Sequence, residues 1–571
     1  MGDDKPAGGY DPTPVPPSSG PTYTVRITFH SASNLPVADF GSGSADPFVL
    51  AQVKTSQKVR HSHDPYLRWR SKTIRKCLEP SWESSWVIAG IPGDGLDLSA
   101  RIYDEDPSDH DDRLGKVEVS TGHIDEGWKG IVKQEYKVKK TGADLRAYGA
   151  RWACHLVGRR ELHARLVLSI EVLGRTPEKM DVGKSYTVSQ FWWVHYSPLI
   201  GRLAGVKGKD DKGVEKYNFQ ANELQLTGPV PNELYHRYVE FKTFVGGMFE
   251  ATGLRGRVLN KALHHQHERI YNFDRQTKYG EWEYKMESGK GEKGKSQQTN
   301  EGEDGHYEGN DLKKQVTLKF LDMCHYDQGG RIFTYVITLD GLLRFTETGK
   351  EFGIDLLSKH TMHSDVNRYI AWSGEFLIRR LSHPDQSSAD SHQRTHPPDP
   401  IPDGPPKEDP PKDPSAYELI IDNDSGTYRP DKKLIPVLTD FLKANFPGLK
   451  IRVMACDDDK LDKIKSQQRK VKSKEGDHLV FGQTSSVSSL GDDGGSISSS
   501  DEEDLDRRAA EQEEDGDGEG SEVKGGLERG VEALENPQKT AREGVNGLKE
   551  KTKAKGGKKE REEREERDDQ A

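Results

Sequence analysis

The feature that most constrains this chain is a strict two-residue alternation near its start. Tyr23, Val25, Ile27 and Phe29 are apolar, and Thr24, Arg26, Thr28 and His30 between them are polar. Side chains of a strand point alternately to opposite faces, so this pattern predicts a strand with one buried face. Leu96, Leu98, Ala100 and Ile102 repeat it, as do Leu166, Leu168, Ile170 and Val172. Gly, Asp and Pro clusters separate these runs. Short alternating strands with such turns predict an antiparallel β-sandwich over residues 22–174.

The rest of the chain reads differently. Of 571 residues only 32% are hydrophobic, too few for packed core throughout. Residues 1–21 are rich in Pro, Gly and Asp and are expected to be disordered. Residues 175–384 carry helical spacing at Glu233–Glu250 and Leu254–Tyr271, and strand-like runs at Val316–Phe320, Ile332–Leu339 and Ile370–Arg379. An α+β domain is expected there, with a flexible Gly/Glu/Lys/Ser insert at 289–310. Ten prolines between Pro384 and Pro414 predict an extended linker over 385–414. Residues 415–483 read as a small β-α-β unit docked on the preceding domain, followed by a basic helix at Lys460–Lys474. Residues 484–571 read as a disordered tail, giving a multidomain chain overall.

Charge excludes one class of function. The net charge is −11, and the tail from Thr484 to Ala571 holds 26 acidic and 15 basic residues, which accounts for all of it. The remainder is neutral and is not a general nucleic-acid binder. No apolar run is long enough for a membrane helix, and the start lacks the apolar stretch of a secretory signal. Pro6 stands where a myristoylation signal after Gly2 wants Ser or Thr. Four scattered cysteines, Cys77, Cys154, Cys324 and Cys456, suit no disulfide framework. A cytoplasmic, peripherally membrane-associated protein is expected.

The strongest chemical signal is a pair of acidic loops. Asp39-Phe-Gly-Ser-Gly-Ser-Ala-Asp46-Pro47-Phe48 forms one; Asp104-Glu-Asp106-Pro-Ser-Asp109-His-Asp111-Asp112-Arg-Leu-Gly115 forms the other. Carboxylates gathered in flexible loops repel one another without a cation, and hard oxygen donors suit Ca²⁺. These loops, with Lys72-Thr-Ile-Arg-Lys-Cys-Leu-Glu-Pro80-Ser-Trp82, resemble those of the C2 domain family. The resemblance implies an eight-stranded antiparallel sandwich. It also implies calcium ligands at Asp39, Asp46, Asp104, Asp106 and Asp112. Two departures stand out: the first loop carries one extra residue between its aspartates, and Glu79 replaces the usual Asn. A sandwich whose acidic loops only solvate and turn is the alternative.

Lys54, Lys58, Arg60, Arg68, Arg70, Lys72, Arg75 and Lys76 form a basic run. In C2 domains the corresponding strand resembles a phosphoinositide site, which would place Arg70 and Lys72 on one lipid-facing side. Phe40, at a loop tip, would insert among headgroups. An ordinary solvated face is the alternative. The leading expectation is therefore a calcium-dependent, phospholipid-binding adaptor with anionic membrane and an unidentified protein as partners.

Two other classes stay open. One is an enzyme built on His264, His265, His267, His360 and His363 with Asp365 or Glu375, although no HExxH pattern occurs. The other is a calcium-independent interaction module. Cys324-His325 reads as neighbours on a strand whose side chains diverge. Phe191–Ile200 reads as a core or interface segment rather than a membrane anchor. Asp422-Asn-Asp424-Ser-Gly426 reads as a turn rather than a cation or phosphate site. Ser498–Ser500, followed by acids, resembles an acidophilic kinase substrate. Strings such as Glu351–Asp365, Leu263–His267 and Tyr417–Tyr428 resemble a group of fungal C2-containing proteins, which implies one chain-long architecture and no mechanism.

Overall fold

A computed structural model describes residues 13, 20–39, 42–61, 64–105, 111–139, 163–177, 183–196, 207–209, 215–217, 220–239, 243–271, 277–284, 309–325, 331–348, 359–381, 395–396, 411–423, 425 and 427–475. Phe40, Asp106, Cys154, Ser498–Ser500, most of 1–21 and of 289–310, and the tail from 484 lie outside these residues.

The three alternating runs become strands as expected, the first, fifth and eighth of the sandwich. In chain order its strands are β1 (Thr22–Ser33), β2 (Pro47–Thr55), β3 (Leu67–Arg70), β4 (Ser81–Pro92), β5 (Leu96–Asp104), β6 (Asp112–Ser120), β7 (Ile131–Lys137) and β8 (Arg165–Arg175). A further short strand, β9 (Tyr186–Thr187), completes one sheet of order β7-β8-β1-β4-β9, and the other is β3-β2-β5-β6. Val25, Ile27 and Phe29 meet Ile88, Trp86, Leu168 and Ile170 in the core between the sheets. β9 lies beyond residue 174, the expected end of the sandwich. It pairs with Ile88 and Ala89 because Tyr186 and Val188 pack on Val87 and Ala89, which covers an otherwise open sheet edge.

Further strands follow: β10 (Phe191–Tyr196), the pair β11 (Lys207–Lys209) and β12 (Glu215–Tyr217), β13 (Gln220–Gln225), β14 (His236–Arg237), β15 (Thr277–Glu281), β16 (Phe333–Ile337), β17 (Leu342–Glu347), β18 (Tyr369–Ile370), β19 (Trp372–Leu381), β20 (Thr395–His396), β21 (Tyr417–Ile421) and β22 (Lys450–Val453). The second large sheet runs β15-β10-β13-β17-β16-β19-β21-β22, with β20 on β19. Its helices are α1 (Thr243–Phe249), α2 (Gly253–Tyr271), α3 (Gly309–Met323), α4 (Lys359–His363), α5 (Ile435–Asn445) and α6 (Asp459–Glu475). Among the described residues its only parallel pair, β21 with β22, flanks α5, as a crossover helix requires. β21 pairs with β19, so the sheet continues across residues 382–416.

Three local expectations are overturned. Val316–Phe320 is helical, inside α3, because Val316, Phe320 and Met323 recur at helical spacing and bury against Phe345, Phe376 and Phe446. Glu233–Glu250 is not one helix. A single 3-10 turn at Asn232–Leu234 leads into β14, which pairs with β18, and only then comes α1. Cross-strand pairing there overrides local spacing. Cys324 and His325 close α3 rather than sit on a strand, and burial pushes the Cys324 thiol well up.

The two sheets share a seam. Phe191 and Leu342 pack into the sandwich core, while Val194 on the same β10 packs into the second core. The Arg60 guanidinium lies 4.2 Å from the Tyr235 ring centre, and His61 stacks on Tyr369 at 4.5 Å. Ser84 Oγ donates to Glu281 Oε1 at 2.8 Å. Among the described residues no helix is long and apolar enough to cross a membrane.

Candidate functional site

The acidic loops meet at one end of the sandwich because their strands are neighbours there. Pro47 pairs with Asp104 across β2 and β5, and Asp104 pairs with Asp112 across β5 and β6. The first loop closes on itself, with Asp39 bridged to Ser44 and Gly43 in the left-handed region at φ +66°. Asp46 and Asp104 are almost fully buried, and the Asp46 N–H donates to Asp104 Oδ1.

Among the described residues, the carboxylates at this end are held by the chain's own donors. Asp46 Oδ1 accepts the Lys76 N–H at 2.7 Å, and Asp46 Oδ2 pairs with Arg75 Nη1 at 3.2 Å. Arg75 Nη2 reaches Glu105 Oε1 at 2.5 Å, so one guanidinium spans two carboxylates. Glu105 Oε2 accepts Arg70 Nη2 at 3.2 Å and the Thr73 hydroxyl. Arg70 lies flat against Phe48, 3.5 Å from its ring centre. Burial lowers Arg70 to about 10, partly offset by Glu105 and Asp111. Burial also works against the charge on Arg75, but Glu105 and Asp46 outweigh it and its pKa is raised. Among the described residues no three His, Cys, Asp or Glu side chains stand close enough to hold a metal ion. Asp106, one of the five expected ligands, lies outside the described residues.

Sequence reasoning does not single out Glu105 or Thr73, and it places Arg75 only within the basic run. Glu105 alternates with Asp104, so its side chain leaves the strand on the opposite side. That separates it from Asp104 but not from Asp46, which it faces across the β2–β5 pairing, its N–H donating to the Asp46 carbonyl at 3.0 Å. The basic run also divides. β3 ends at Arg70, and Ser71 is held by Val49 through two hydrogen bonds of 2.9 Å, so Lys72 lies beyond the strand that carries Arg70. The Arg70 side chain is 14% exposed. Lys54, Lys58, Lys72 and Lys76 are exposed.

Two of the central histidines, His264 and His267, meet at Asp365, and the others take different partners. His264 Nδ1 lies 2.8 Å from Asp365 Oδ1, and His267 Nε2 lies 3.9 Å from the same oxygen. His267 Nδ1 donates to the Met362 carbonyl at 2.7 Å. His363 bonds Tyr271 and Thr346 at 2.5 and 3.2 Å, His360 donates to the Gly374 carbonyl at 2.9 Å, and half-exposed His265 faces Glu268. Glu375 pairs instead with Lys465, as does Asp422, at 2.7 and 2.5 Å. Asp422 thereby anchors α6 and the turn after β21; Asp424 and Gly426 lie outside the described residues.

Comparison with known proteins bears on the sandwich. Residues 23–135 match the C2 domain model. A stretch of 82 residues is 33% identical to human extended synaptotagmin-3, covering 13% of this chain and 9% of that protein. A stretch of 97 residues is 33% identical to mouse RasGAP-activating-like protein 1, covering 17% and 11%. The chain thus spans about a tenth of either relative. A single C2 domain of a plant extended synaptotagmin 1 aligns over its whole length with 28% of this chain, at 16% identity and a TM-score of 0.20. Residues 23–135 are a C2 domain.

Proposed function

We propose that this protein is a peripheral membrane adaptor whose C2 domain binds anionic phospholipid while the second sheet and its helices carry a protein partner. The observation that carries this reading is the set of exposed lysines, Lys54, Lys58, Lys72 and Lys76, on the β2–β3 side of a C2 domain. A basic residue near an anionic surface contributes about 1 kcal/mol. Its location would be cytoplasmic and peripheral to a membrane.

A second reading makes membrane binding calcium-dependent through Asp39, Asp46, Asp104, Asp106 and Asp112, with Phe40 inserting among headgroups. The spacing of those aspartates favours it. Sedimentation of the full chain with phosphatidylserine vesicles, in chelator and in calcium, separates the two. The first reading expects binding in chelator, weakened about 30-fold when Lys58 and Lys72 are both changed to Ala, about 2 kcal/mol in all. Binding in calcium alone decides for the second. No binding in either condition overturns both and leaves a protein-interaction module.

A further inference from the structure

We propose that Arg75 is the resident counter-cation of the C2 loop end and sets the divalent-cation affinity of this domain. The proposal rests on residues 23–135 acting as a C2 module, and it concerns what neutralises their buried carboxylates.

Asp46 and Glu105 are each 2% exposed. Ionised carboxylates so buried require a cation or several donors. Here the chain supplies both. Arg75 forks between them, at 3.2 Å to Asp46 Oδ2 and 2.5 Å to Glu105 Oε1. The Lys76 N–H, 2.7 Å away, takes the other oxygen of Asp46. Arg70 and Thr73 close the far side of Glu105. Two guanidinium charges thus face the two carboxylates. A planar guanidinium suits this bridging because its donors diverge in a fixed fork, which an ammonium lacks.

A divalent ion that recruited Asp46 would have to displace a tethered guanidinium and a backbone donor from it. Arg75 itself is 34% exposed along its side chain, so it can swing out into water. It therefore acts as a built-in competitor rather than a locked core charge. The aspartate spacing alone, which ignores this arginine, overstates the affinity of the loops for calcium.

The test uses the full chain and calcium chloride as the only ligand, read by isothermal titration and by the thermal midpoint with and without chelator. Wild type is expected to show no rise in midpoint until calcium reaches roughly millimolar levels, the range of weak sites. Arg75→Gln removes the charge and keeps a hydrogen-bonding side chain; it is expected to bind calcium about tenfold more tightly, or better. Arg75→Lys keeps the charge without the fork and is expected to fall between. Micromolar calcium binding by wild type overturns the proposal, and so does an Arg75→Gln protein that binds no tighter than wild type. If Arg75→Gln fails to fold, wild type and Arg75→Lys decide: Arg75→Lys binding no tighter than wild type overturns it. Vesicle sedimentation in chelator reports on the membrane reading separately, so failure of one is not failure of the other.

Discussion

Two charge clusters, one in each half of the molecule, use the same residue types to different ends. At the C2 loop end, Arg75 joins Asp46 and Glu105 from a segment between strands, and its side chain is a third open to water. In the second half, Arg344 on β17 pairs with Glu223 on β13 at 2.6 Å, with both side chains under a tenth exposed. Trp193 Nε1 donates to the other Glu223 oxygen at 3.0 Å, and Arg344 Nη1 donates to the His363 carbonyl at 3.4 Å. Asp365 stands nearby in the left-handed region at φ +56°, held by His264. A pair whose members both sit on paired strands cannot exchange partners without opening the sheet. A pair with one member on a solvated loop can. The first arrangement is structural, and the second is where competition with a ligand belongs.

The largest expected effect breaks the locked cluster. Arg344→Leu leaves Glu223 buried without its cation and should cost about 3–5 kcal/mol in urea unfolding. Adding Glu223→Leu to it should restore much of that loss, since an apolar pair leaves no charge stranded. A double variant as unstable as the single one would show that the ion pair is not what holds β13 to β17.

Acid should weaken the second half next. Burial lowers His267 and His236 to about 4, so both are neutral in the folded protein and gain protons more readily when unfolded. Stability is then complete above the unfolded histidine value of about 6.5 and falls as pH drops from there to 4, by roughly 3 kcal/mol per histidine. His264 works with the opposite sign. Its hydrogen bond to Asp365 raises its pKa, so its contribution is complete below about 6.5 and is lost as pH rises through the raised value. Denaturant midpoints taken at pH 7, 5.5 and 4.5 on wild type and His267→Gln would show it: the variant should lose less between pH 7 and 4.5.

At the C2 end the same measurements should show less. Arg75→Gln should cost less, about 1–2 kcal/mol, because glutamine keeps a donor beside the two carboxylates and Arg70, Thr73 and the Lys76 N–H remain on them. A cost comparable to that of Arg344→Leu would show that the two clusters are equally locked. Smallest of all, Lys72→Ala should leave stability within about 0.5 kcal/mol, since Lys72 is exposed, and should register only in vesicle binding.

Legibility in the sequence follows the same divide. The sandwich strands are readable because each has one wet and one dry face, so Tyr23–Phe29 or Leu96–Ile102 announces its own period. In the second sheet β16, β17 and β21 are buried along their whole lengths, so no two-residue period marks a wet face; β16 and β21 are legible as short apolar-rich runs, whereas β17, Leu-Leu-Arg-Phe-Thr-Glu, carries no such signal. Val316–Phe320 misleads because five apolar-rich residues fit strand and helix alike; only the faces of α3 against Phe345 and Phe376 separate them. β14 and β9 are two-residue strands that exist through their partners, β18 and β4, and no local signal marks them.

By itself, then, the sequence determined the sandwich, the acidic loops at one of its ends and the concentration of negative charge in the tail. Those follow from period, turn chemistry and composition, which are local. Tertiary structure alone decided which charges meet. Arg75 is 29 residues from Asp46 along the chain, and Arg344 is 121 from Glu223. Strand pairing sets Arg344 opposite Glu223, and the β3–β4 connection carries Arg75 back to Asp46; a charge buried in folding needs its counter-charge wherever the chain happens to place one.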